Sequence, residues 1–143
     1  MRHLNYLAPV ILFGLIVSLA ADAAQPSKVG PDYYCDIELA LDAESPDSPD
    51  LEGYPVGEKF VVERRTGVMK GGLRNSYMTE PQVIDYGSAD NSYKVVTTMK
   101  FDEGLGASTN LHSLVIQEWA SGFKKPFVYL WDTKVYFGTC IHN

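Results

Sequence analysis

Apolar side chains recur at every second position through most of this chain, in short runs separated by turn signals. Tyr93, Val95, Thr97, Met99 and Phe101 alternate with Lys94, Val96, Thr98 and Lys100. Successive side chains of an extended backbone point to opposite faces, so a period of two predicts a strand with one face buried, whereas a helix needs a period near 3.6. The same period places Cys35, Ile37, Leu39 and Leu41 on one face, opposite Asp36, Glu38 and Ala40. Phe60 and Val62 alternate with Val61 and Glu63. Leu111 to Trp119 puts Leu114 and Ile116 on one face and Val115 and Trp119 on the other. Phe127, Tyr129 and Trp131 follow Pro126 at an opening position that a strand tolerates, and Val135, Phe137, Thr139 and Ile141 share a face at the end of the chain.

The breaks between these runs carry turn chemistry. Thr66-Gly67 makes a hairpin turn, because glycine accepts positive φ. Gly71-Gly72 ends the returning strand, 73–81 reads as irregular, and a short strand covers Gln82–Tyr86. Ala120-Ser121-Gly122 and Asp132-Thr133 are further turns. The segment Asp42 to Pro55, with three prolines and five acids, reads as a surface loop, and Asp102–Asn110, with Gly104 and Gly106, as a loop suited to binding. The fold class is therefore all-β: a meander of about eight antiparallel strands closing as a small barrel, with a β-sandwich as the alternative.

Two cysteines frame this pattern, Cys35 near the start of the first strand and Cys140 near the end of the last. A disulfide between them pairs first strand with last, antiparallel, and removes the exposed edges of the sheet. Cys140 is out of phase with Val135, Phe137 and Ile141, so a β-bulge is expected at Gly138.

The oxidising environment that such a bridge needs agrees with the N-terminus. Arg2 and His3 precede an apolar run of 14 residues, Leu7 to Ala20, and Ala21-Asp22-Ala23 is a small-x-small exit. That order is a Sec-type signal peptide, residues 1–23, with cleavage before Ala24. The run is shorter than the roughly 20 residues of a membrane-spanning helix, and the first cysteine comes too late for lipid attachment. Residues 24–32 read as an exposed leader and 33–143 as one β domain, in the periplasm or outside the cell. Arg2 and Asp22 leave together, so the net charge stays at −6. An acidic chain repels phosphate backbones, so nucleic acid is excluded as a partner and anionic membrane surfaces are disfavoured. No second apolar segment can span a membrane after signal cleavage.

Chemistry-bearing patterns are few. His112 reads as an exposed strand residue and His142 as a loose end, and no spacing of histidines, cysteines and carboxylates makes a metal site. Ser113 beside His112 points to the opposite face, so the two are no dyad. Asp36 and Glu38 read as a solvated acidic face, and the Asp42–Glu52 acids lack the order of a calcium loop. No catalytic residue and no cofactor is assigned. Aromatic residues are the unusual feature, and Trp119, Phe127, Tyr129, Trp131 and Phe137 are the candidate ligand-binding set, since rings lining a small barrel hold apolar or ring-shaped ligands.

The phrases FVVERRTGVMKGG, IDYGS with SYKV, and KPF with YFGTC resemble small exported β-rich proteins of proteobacteria to which no activity is assigned. The resemblance implies export and a β-rich domain and carries over no site. Three functional classes stand in order: a non-catalytic module for a small hydrophobic or aromatic ligand, a protein-directed envelope factor or hydrolase inhibitor, and an enzyme of unrecognised type.

Overall fold

The alternation that begins at Tyr33 forms a strand, β1 (Tyr33–Asp42), and its first half buries Tyr33, Cys35 and Ile37. The computed structural model describes residues 29–44, 53–75, 80–98 and 111–142. Within them follow β2 (Lys59–Val62), β3 (Met69–Gly71), β4 (Gln82–Tyr86), β5 (Tyr93–Thr98), β6 (Leu111–Ile116), β7 (Lys125–Trp131) and β8 (Lys134–His142). No helix occurs among the described residues. Residues 1–28, which include the segment expected to be a signal peptide, residues 45–52 of the acidic loop, Tyr77, Met99, Phe101 and the 102–110 loop lie outside them.

The eight strands make one antiparallel sheet in the order β3-β2-β1-β8-β7-β6-β5-β4. It turns through 238°, a partial barrel. Cys35 and Cys140 are directly opposed residues of the β1–β8 ladder and are joined by a disulfide. They are 105 residues apart, and closing a loop of that length stabilises by about 4–5 kcal/mol in the chain-entropy account. First pairs with last, as expected, but the edges do not vanish. β1 also pairs with β2, so the two edges move to β3 and β4.

Side chains span that seam where the ladder does not. Asn75, buried, accepts from Met69 N at 2.7 Å and donates from Nδ2 to Gly67 O at 3.0 Å and to Thr97 Oγ1 on β5 at 3.1 Å. Gly67, at φ 76°, brings the β2–β3 turn so close to β5 that a Cβ there would sit 2.8 Å from Val95 Cγ1.

Inward residues form rows across the sheet. One runs Ile37, Gly138, Phe127, Ile116, Tyr93, and the next Ala40, Tyr136, Tyr129, Leu114, Val95. Nearly all are buried, and Phe60 meets Phe127 edge-to-face at 5.2 Å. Burying each such ring contributes roughly 1.5–3 kcal/mol.

The bulge expected at Gly138 is not on β8, which pairs in register with β7 through Phe127 and Gly138; the irregularity lies opposite it, on β1. The β1–β8 register shifts between Ile37 and Leu39, leaving Glu38 as the extra residue opposite Gly138 and Phe137. The cause is space at Gly138, where a Cβ would lie 2.0 Å from Asp36 O. The shift reverses the phase of β1, so Ala40 turns inward while Leu39 and Leu41 turn out, 44% and 48% exposed. On β8 the inward set is Tyr136, Gly138 and Cys140, in phase with the disulfide, and Val135, Phe137 and Ile141 face outward. Both faces of β8 are apolar, so periodicity alone does not tell them apart.

Strand directions give the barrel two ends. β1 begins and β8 finishes at the base, with the turns 63–68, 87–92 and 117–124. β1, β3, β5 and β7 finish at the rim.

Candidate functional site

The core rows leave a cavity of about 640 Å³ at the rim. Three rings reach it. Trp131 comes from the last position of β7, Tyr136 from the inward face of β8, and Tyr54 from the β1–β2 connection. Tyr54 packs 6.2 Å from Tyr136, which is 6.0 Å from Tyr129 in the core below. Glu58, Arg74 and Lys134 supply charge, and the backbones of Gly53, Pro55, Gly71 and Gly72 complete the wall.

Tyr54 is held in place. Its hydroxyl donates to Asp42 Oδ2 at 2.6 Å. That bond is the main reason the Asp42 carboxyl sits below the ordinary carboxylate range and the Tyr54 hydroxyl is pushed up to about 12. The Lys134 ammonium stands 5.6 Å from the Tyr54 ring centre, on the electron-rich face a cation prefers. The cleft thus offers stacking surfaces, one acid and two cations. Its described lining includes no serine, cysteine or histidine.

The five candidate ring residues separate. Trp131 lines the cleft. Phe127 and Tyr129 are inward and fully buried in the core beneath it. Phe137 faces outward in the row Leu39, Phe137, Val128, Val115. Trp119 stands exposed in the 117–124 turn at the base. Tyr54 and Tyr136 were missed. Tyr136 has the phase of Cys140, which would have found it, whereas Tyr54 belongs to a loop and carries no periodic signal.

Both histidines depart from expectation. His112 is 1% exposed and inward, in phase with Leu114 and Ile116. Its Nδ1 is hydrogen-bonded to the Tyr129 hydroxyl, its ring lies 5.2 Å from that of Trp131, and its Nε2 has no hydrogen-bond partner. Burial pulls its pKa down and outweighs the opposing pull of the Asp132 charge. His142 is tied into a polar cluster at the base. Its Nε2 lies 3.2 Å from Glu118 Oε2, and Arg64 Nη1 lies 3.5 Å from its Nδ1 and 3.3 Å from Glu118 Oε1. The Tyr33 hydroxyl donates to the same carboxylate, Arg64 Nη2 donates to Tyr86 O at 2.6 Å, and Tyr93 donates to Arg64 O at 3.0 Å. Burial first, then the Glu118 bond, raises the Tyr33 pKa. The end of the expected leader is not exposed but lies over this cluster, with Gly30 against the Arg64 guanidinium and Asp32 accepting from Arg64 N at 3.0 Å. The cluster plugs the barrel end opposite the cleft.

Elsewhere, Asp36 pairs with Lys59 at 3.2 Å and Glu38 accepts from Thr139 Oγ1 at 2.8 Å, so the two carboxylates do not act together. Among the described residues no three histidines, cysteines or carboxylates are placed to hold a metal ion, and no helix is long and apolar enough to cross a membrane.

Fold and site together define a disulfide-bridged antiparallel partial β-barrel, plugged at one end and opening at the other into a cleft that three rings reach. No family model matches the chain, and no curated protein or solved structure is significantly similar to it.

Proposed function

We propose that this chain is exported on its signal peptide, residues 1–23, and works as a non-catalytic binding domain that takes a small hydrophobic or aromatic ligand into the rim cleft. The observation that carries the reading is the cavity of about 640 Å³ between Tyr54, Trp131 and Tyr136, above the buried rings Phe127 and Tyr129. Its volume lies in the range of small-molecule sites, and its three rings stand beside three charged side chains, which suits a ring that also carries polar groups. The disulfide agrees with an oxidising compartment, and so does the resemblance to small exported proteobacterial proteins.

The test is the mass of the protein recovered from its own envelope or culture medium. A native mass above the denatured mass by a few hundred daltons identifies a retained ligand. Equal masses turn the work to the second reading, a protein-directed envelope factor or hydrolase inhibitor. That reading draws on the outer face, where Leu39, Leu41, Phe137 and Val135 adjoin in register and a smaller hollow of about 300 Å³ lies beside Tyr34, Val61 and Ile141. Capture of a protein partner, lost when Leu39 and Leu41 become serine, would support it.

A further inference from the structure

On β8 the inward phase reads Lys134, Tyr136, Gly138 and Cys140 from the rim downward. On β2, continued one step before its first residue, it reads Glu58, Phe60 and Val62. In both cases the residue at the rim is charged and those below it are not. Glu58 and Lys134 both line the cleft.

Neither charge is matched inside the protein. Among the described residues Glu58 and Lys134 form no ion pair, with each other or with a third group. Asp42 stands opposite Lys134 in the β1–β8 register, but its carboxylate accepts from the Tyr54 hydroxyl at 2.6 Å and from Glu44 N at 3.1 Å. The Lys134 ammonium rests over the Tyr54 ring. Arg74, the third charged residue of the lining, is already engaged. Glu58 is backed by Gly72, where an added Cβ would lie 2.9 Å from Glu58 Oε2, so a larger residue there would push the carboxylate away.

The backbone keeps the two charges apart. Ile37 N donates to Glu58 O at 3.0 Å, which places Glu58 beside Ile37 on one side of β1, while Lys134 lies beside Asp42 on the other. Strands two apart in a sheet are separated by about 10 Å. The acid and the base therefore face one cleft from different walls, together with the rings of Tyr54, Trp131 and Tyr136.

We propose that the cleft selects a zwitterionic ring-bearing ligand, in its simplest form an aromatic amino acid. Its ammonium donates to Glu58, its carboxylate accepts from Lys134, and its ring stacks on Trp131 and Tyr54. A ring without charge would draw water from both side chains and return nothing to them, whereas the zwitterion replaces that water with two charge-assisted hydrogen bonds. The inference rests on the rim cleft being a small-molecule site and adds the charge pattern of the ligand.

The test is titration of the exported protein with four matched ligands, following the Trp131 indole resonance. L-Phenylalanine carries both charges, 3-phenylpropionate only the carboxylate, 2-phenylethylamine only the ammonium, and benzyl alcohol neither. L-Phenylalanine binds tightest, and removing either charge weakens binding about tenfold or more. Lys134→Met weakens the two carboxylate-bearing ligands selectively, and Glu58→Gln the two ammonium-bearing ones. A change in the shape of the cleft would instead weaken all four alike. The inference is overturned, with the cleft still a ligand site, if benzyl alcohol binds as well as L-phenylalanine or if each variant affects the four ligands equally. If none of the four moves the Trp131 resonance, the cleft reading itself fails and the inference falls with it.

Discussion

Asn75 and Thr97 are joined by a 3.1 Å hydrogen bond across the one seam of the barrel that has no backbone ladder. Asn75 uses its oxygen and both of its remaining bonds on the same task, since it also holds Met69 N and Gly67 O. A buried amide that satisfies three partners leaves each of them unpaired when it is removed.

Asn75→Ala should therefore destabilise the domain by about 2–4 kcal/mol. Urea unfolding measures the loss. Amide exchange should localise it, with β3 and the end of β5 losing protection before β1 and β8.

Gly138→Ala should be among the most damaging single substitutions. The added methyl would lie 2.0 Å from Asp36 O and 2.8 Å from Phe127 Cε1, and one of these is backbone. A loss of about 3 kcal/mol or more is expected, because neither the β1 bulge nor the ring can move without disturbing the core. Thermal unfolding of the variant against wild type gives the answer, and unchanged stability would mean that β1 and β8 are not this close.

Much of this fold is legible as period-two alternation, and the exceptions have identifiable causes. β5 reads correctly because Tyr93, Val95 and Thr97 contrast with lysine and threonine on the opposite side. Leu39 and Leu41 mislead because one extra residue in β1 flips everything after it, and the signal for that extra residue is a glycine on a different strand. Phe137 misleads because β8 is apolar on both faces. The Asn75–Thr97 bond and the Glu118–His142–Arg64 cluster are invisible in one dimension, since the residues they join lie 22 or more positions apart. Trp131 is the one sequence-chosen ring in the cleft, since a cleft needs a position at the end of a strand as well as the right residue type.

Glu118→Gln tests the plug at the base. Arg64 and Glu118 have side chains only 10% and 8% exposed. Neutralising the acid leaves the guanidinium buried without its counter-charge, and removing one partner of a buried pair costs about 3–5 kcal/mol. The Arg64→Met/Glu118→Gln double variant should recover part of that loss, which a double-mutant cycle by denaturant unfolding would read as a coupling between the two sites.

His112 predicts the pH dependence. Burial lowers its folded pKa below the unfolded value near 6.5, so the unfolded chain takes up the proton first. The contribution is absent above that value, and stability falls as pH drops through it, by at most about 1.4 kcal/mol per pH unit. His112→Phe should flatten the difference in stability between neutral and mildly acidic buffer relative to wild type. An identical slope in both proteins would show that His112 is not buried neutral.

The central claim is that the rim cleft, and not the base or the outer face, receives a small ring-bearing ligand. The chain has two tryptophans, Trp131 in the cleft and Trp119 at the base, so it contains a reporter at each end. Titrating the exported protein with 1-naphthol while following the two indole N–H resonances by NMR compares them directly. A saturable shift of the Trp131 resonance with Trp119 unmoved is the predicted result. A shift of Trp119 alone, or of neither resonance, would contradict the account.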